Sequence, residues 1–240
     1  MVLSRDYFIN ILNMTGESPM PPHKQSTNRT RQKQITHHKL LNATIDIIAD
    51  EGLAGVTMAK VAGRTGLSRG ICNFHFDTKE QLMLEAFRML YQEHERAWRK
   101  TLSNLDEHPV SRLRIFLETV LLPPIADHKN VAVWMAFWGV TPHRQTYLEI
   151  GKNVDREYEI EVESLLRELS GGEEVVYGMT LHAIAVTLTC MIDGFWVNYL
   201  ISPGSISPEN AINASMTFLG RFFPVLNSTE LSEIRAVSSS

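Results

Sequence analysis

Residues Thr57 to Phe76 constrain the chain more than any other stretch, because they spell two short helices with almost nothing between them. Thr57 stands just ahead of Met58, Val61 and Ala62, which recur on one helical face. A threonine there is an N-cap, whose hydroxyl accepts from the N–H groups that a first helical turn leaves unpaired. Gly66 follows Thr65 and admits the left-handed backbone that ends a helix. Leu67 packs beneath the turn, and Ser68 caps a second short helix that runs to about Phe74. Two helices joined in this way form a helix-turn-helix. The start of the second helix can face a phosphate. Arg69 and Asn73 lie four residues apart on its exposed face, and both residue types suit bidentate contacts to base edges in a major groove.

A helical hairpin with no nucleic-acid role fits the same pattern, and charge separates the two readings. Between Lys24 and Lys79 stand nine basic residues against four acids, a net +5, whereas the chain as a whole carries −4. Arg29, Arg31 and Lys33 lead into the motif. A basic segment on an acidic body points to an anionic partner for one part only.

The rest of the chain reads as helix. Ile35, Leu40, Leu41, Ile45, Ile48 and Ala49 form one stripe that ends at Gly52. Thr78 caps a long helix, with Gln81 three residues on completing a capping box. Breaks fall at Pro123-Pro124, Pro142, Gly171-Gly172 and Ser202-Pro203-Gly204, and no alternating run is long enough for a sheet. The expected fold is all-α: a three-helix helix-turn-helix head over 31–77, then a larger helical body over 78–228. Residues 1–30, rich in Pro, Ser, Thr and Asn from Thr15 onward, read as a disordered arm, and 229–240 as a flexible tail. Cys72 and Cys190 are too few and too far apart for a disulfide framework, which fits a cytoplasmic chain. Leu181 to Ile201 is interrupted by His182, Asp193 and Asn198, so it reads as a buried helix with no membrane role.

The run from Thr57 to Leu82 resembles the DNA-binding head of the TetR family of one-component repressors. Ser68-Arg69-Gly70, Phe76, Lys79 and Leu82 carry the likeness. The resemblance implies that Thr57 holds a phosphate, that Ser68, Arg69, Gly70 and Asn73 face the groove, and that His75 and Lys79 touch the DNA backbone. Arg31 and Lys33 join them as basic contacts. Asn73 departs from the family, which often has a tyrosine there. Phe74 and Phe76 are expected to pack the head against the long helix.

Three segments of the body are similar to the choline-responsive BetI branch: Trp134-Met-Ala-Phe-Trp138, Pro142-His143, and Ile192-Asp-Gly-Phe-Trp196. Trp134, Phe137 and Trp138 share one helix face. With Trp196 they can wall a cage for a quaternary ammonium, with Asp193 as countercharge. Placement of the tryptophans in the core is the competing reading; Tyr147, Tyr177 and Tyr199 are secondary candidates. In this family the body also dimerises. Val175 to Ile201, apolar over most of its circumference, and a last helix capped by Ser207-Pro208 with Ile212, Met216, Leu219, Phe222 and Phe223 are the expected homodimer interface. Two heads on a two-fold axis require a palindromic operator on double-stranded DNA.

Catalysis finds no footing. His94-Glu95 lacks a second histidine four residues on, no Gly-rich loop follows a strand, and His182 and Cys190 are eight residues apart on one helix, about 12 Å. No cofactor or metal is implied. The expectation is a DNA-binding regulator, released by a small-molecule effector. The alternative is a helical ligand-binding or adaptor protein without DNA binding.

Overall fold

The structure, a computed structural model, describes residues 24–104, 107–141 and 145–227, with side chains from Asn28 onward. The tail, most of the arm and the Pro142-His143 motif lie outside the described residues. Residues 1–38 and 39–240 form two compact units. In the first, residues from Lys24 are already helical, seven residues earlier than expected, and Arg31, Lys33 and Ile35 are exposed. Ile35 therefore does not continue the apolar stripe.

The second unit holds the body and the head from Lys39 onward, including the later part of the first helix. Helix α1 (Lys24–Gly55) bends at Gly52, whose φ of 70° only glycine adopts readily. Helices α2 (Met58–Thr65) and α3 (Arg69–His75) follow. Leu40, Ile47, Ile48, Val61, Cys72 and Phe76 fill the core beneath them. The body comprises α4 (Lys79–Leu102), α5 (Pro109–Leu121), α6 (His128–Trp138), α7 (Gln145–Leu169), α8 (Leu181–Ile201) and α9 (Pro208–Leu219). The α4 helix packs on α5 and α7, α8 lies against α6 and α7, and α9 lies against α5.

The expected helix from Val175 starts only at Leu181. A two-residue antiparallel hairpin, β1 (Val175–Val176) and β2 (Met179–Thr180), precedes it and turns at Tyr177-Gly178. Both turn residues have positive φ, the geometry of a tight hairpin, and Thr180 then caps α8. Apolar composition alone could not distinguish these residues from the helix they precede.

Although α8 is long and apolar enough to cross a membrane by length and composition, only 28% of its most apolar window is buried within the chain. Its expected burial on two sides is thus half met, on the side facing α6 and α7.

Candidate nucleic-acid interface and aromatic box

Every expected cap in the head is present. Thr57 Oγ1 accepts from Lys60 N at 3.2 Å, Ser68 Oγ accepts from Ile71 N at 3.2 Å, and Thr78 Oγ1 accepts from Gln81 N at 3.1 Å. Each hydroxyl keeps its own O–H to donate outward. Gly66, with φ 70°, closes α2 through its backbone N–H. The resulting turn presents Ser68, Arg69, Gly70 and Asn73 together on an exposed surface, with Thr57 exposed at the start of α2.

Some of the positive charge is committed internally. Lys60 pairs with Glu51, and Arg64 Nη2 reaches Asp50 at 2.5 Å. Lys79 Nζ donates to the Leu53 carbonyl at 3.2 Å, near the end of α1. A cation there complements the negative end of the α1 dipole, which accounts for its place at the start of α4 without a phosphate. His75 is half-buried between the rings of Phe74 and Phe76. Phe76 is buried as expected, but Phe74 is 71% exposed and turned away from the long helix. On a seven-residue helix the two positions fall on different faces, so adjacency of two phenylalanines did not signify a shared role.

The body concentrates its aromatic residues where four helices meet. Trp134 lies 6.2 Å from Trp138 and 6.1 Å from Trp196, ring centre to ring centre, and Trp138 stacks on Trp196 at 6.3 Å with planes 14° apart. From α4, Tyr91 meets Trp134 at 4.7 Å, while His94 lies 5.8 Å from Trp134, 5.7 Å from Trp196 and 5.9 Å from Tyr158. Trp134 and Trp196 are buried; Trp138 is partly exposed. The indole of Trp196 donates to the Val120 carbonyl at 2.8 Å, so this ring also has a core role. Phe137, expected in the wall, is fully buried against Phe87 at 4.4 Å and Tyr147 at 5.6 Å. Tyr177 is exposed on the hairpin turn, away from the box, and Tyr199 lies half-buried farther along α8.

Two carboxylates share this region. Asp193 is half-buried on α8, and Asp155 on α7 accepts from the Tyr91 hydroxyl at 3.5 Å. Desolvation and the neighbouring Asp155 push Asp193 up to about 6. Desolvation raises Asp155 to about 6 as well, against the lowering effect of the Tyr91 bond and with Glu159 adding to it. Burial holds His94 down at about 4, so its imidazole is neutral, and its Nδ1 is sealed from solvent with no hydrogen-bond partner. Among the described residues no lysine or arginine forms an ion pair with Asp155 or Asp193. A ring of π-faces beside unpaired anions suits a cation. Of this set, the sequence pattern identified only Trp134, Trp138, Trp196 and Asp193. Tyr91, His94, Asp155 and Tyr158 come from other helices, and no local spacing marks their convergence.

Residues 40–86 match the family described as bacterial regulatory proteins, tetR family, and residues 109–224 match the BetI-type transcriptional repressor C-terminal domain. The HTH-type transcriptional regulator BetI 1 of Chromohalobacter salexigens is 27% identical over 177 residues, spanning 74% of this chain and 85% of that protein. BetI of Pseudomonas paraeruginosa is 24% identical over 187 residues, spanning 77% and 91%. A transcriptional regulator of Saccharomonospora viridis, solved in complex with choline, superposes with a TM-score of 0.67 at 18% identity, over 78% of this chain and 96% of that one. A Pseudomonas aeruginosa PAO1 regulator gives 0.67 at 22% identity, over 78% and 89%.

Proposed function

We propose that this chain, which belongs to the TetR family of bacterial regulators and carries a BetI-type repressor C-terminal domain, holds a palindromic operator as a homodimer and releases it when a small organic cation fills the aromatic box. It is a ligand-responsive DNA-binding regulator of transcription and not an enzyme. Arg69 and Asn73 read bases; Thr57, Ser68, His75, Lys79, Arg31 and Lys33 position the backbone of the DNA, with Gly70 allowing close approach. The exposed cap hydroxyls and the open Arg69–Asn73 face support this over an adaptor role. Dimerisation uses α8 and α9, where Val186, Met191 and Val197 of α8 are only partly buried within the chain.

The observation that carries the effector reading is the box itself: three mutually packed indoles, two of them against a neutral histidine, beside carboxylates that lack a counterion. A quaternary ammonium is the class that the BetI likeness and the choline complex of the S. viridis protein favour. The test is thermal stability with choline, its carboxylate relative betaine, and aromatic acids. Choline at one hundred times its dissociation constant stabilises the protein by about 2.7 kcal/mol. In mobility shifts choline should release a palindromic operator, and operator affinity should fall steeply with salt as condensed counterions are displaced. Stabilisation by aromatic acids with no response to cations would refute the assignment.

A further inference from the structure

A single quaternary ammonium leaves part of the box unused. Asp193 is enough to balance one positive charge. Asp155 then stands as a second anion at the rim, exposed on one side and bonded to Tyr91 on the other. The close approach of these two groups depends on Gly151, one turn earlier on α7. A Cβ there would sit 2.4 Å from Tyr91 Oη and 2.9 Å from Asp155 Oδ2, closer than real side chains come. The missing side chain lets Tyr91 and Asp155 meet.

We infer that Asp155 is a second anchoring carboxylate, and that the box takes an elongated dication, two ammonium groups joined by a short apolar chain, more tightly than any single cation. This rests on the box being the effector site. Three observations converge on it. Asp193 is half-buried and near enough to Tyr91 and Tyr158 to add to the burial that raises both phenols, whereas Asp155 is exposed and bonded to Tyr91, so the two charges reach the box from different levels of exposure. The buried, unpartnered Nδ1 of His94 can accept a hydrogen bond, which a primary ammonium donates and a quaternary ammonium, having no N–H, does not. Both carboxyls lose their protons near pH 6, so at neutral pH the site holds close to two negative charges, each facing the other and no cation among the described residues. One positive charge leaves one of them uncompensated, and two neutralise both. Trp138, partly exposed, offers an apolar surface to the methylenes between.

Calorimetry at pH 7.5 on the full-length dimer tests this with 1,4-diaminobutane, 1,5-diaminopentane, 1-aminobutane and choline. The expected result is a dissociation constant at least tenfold lower for one of the diamines than for 1-aminobutane or choline. Asp155→Asn should bring the diamines to within threefold of 1-aminobutane, while effector-free operator binding stays within threefold of the parent. If choline or 1-aminobutane binds and no diamine binds more tightly, the dication assignment is wrong and the cation site stands. If Asp155→Asn weakens every cation equally, Asp155 acts only through the general field and the anchoring role falls. If none of the four binds, both this inference and the cation reading fail.

Discussion

Arg69 and Lys79 both bring positive charge to the head, yet their surroundings give them different work. Arg69 is exposed at the first position of the recognition helix, free to enter a groove. Lys79 is half-buried and bonded to the Leu53 carbonyl. Arg69→Ala should cost about 1–3 kcal/mol on the preferred operator and relax sequence preference. Lys79→Ala should weaken all sequences alike, make the salt slope shallower, and also lower thermal stability by about 1 kcal/mol from the lost hydrogen bond. A panel of operator variants measured at several salt concentrations separates the two, and identical profiles would erase the distinction. Asp193 makes a different kind of prediction. Its carboxyl loses its proton at about pH 6 in the folded chain but near the ordinary 3.8 when unfolded. The folded state therefore binds more protons between those values, and the stability it gives is lost as pH rises from about 4 to above 6. Asp193→Asn should accordingly leave the unfolding free energy unchanged at pH 4 and raise it at pH 7.5, by on the order of 1–2 kcal/mol after solvent screening. An effect of equal size at both pH values would show that the side chain matters for packing rather than charge.

Helix starts were more legible than helix faces. Thr57, Ser68, Thr78 and Ser207 all cap as their side-chain chemistry demands, because a cap depends only on residues two or three positions away. Phe74 and Phe137 show the opposite case. Phe74 is an aromatic residue in solvent, and Phe137 shares a helix face with Trp134 yet joins Phe87 and Tyr147 in the core. Their surroundings are set by helices far away in sequence, which periodicity does not encode. The same holds for the box: its α6 wall was readable from the three-to-four spacing of indoles, whereas Tyr91 and His94 on α4 looked like ordinary members of a long amphipathic helix. Beyond α9, Phe222 stays half-buried, its ring 5.3 Å from Phe218. Phe222→Asp should place a charge in the interface between subunits at a cost of several kcal/mol. Light scattering should then report monomers at concentrations where the parent is a dimer, and a dimeric variant would move the interface elsewhere.

Across the molecule, α6 is an element that touches both the aromatic box and the head. Trp134 and Trp138 stand in the box, while Lys129 in its first turn pairs with Asp46 of α1 in the head. Past its other end, Val140 lines a cleft of about 220 Å³ with Leu53, Ala54 and Lys79. A displacement of α6 by an effector is therefore felt at two points of the head. An effector lowers operator affinity only by its preference for the state that misaligns the two heads, and a tenfold loss requires about 1.4 kcal/mol. Lys129→Ala should leave calorimetric effector affinity nearly intact and reduce the effector-induced loss of operator affinity to less than threefold; full retention of the response would exclude this route. The uncovered side of α8 has a last consequence. A lone chain fresh from the ribosome presents a helix apolar enough to cross a membrane, and the described residues of its own chain bury it only in part. If α8 is the seam between subunits, such a chain is completed by company, and the number of copies in the cell is part of its folding and not merely of its dosage. A regulator made in small amounts then has a threshold set by its own scarcity, below which neither operator nor effector meets a finished protein.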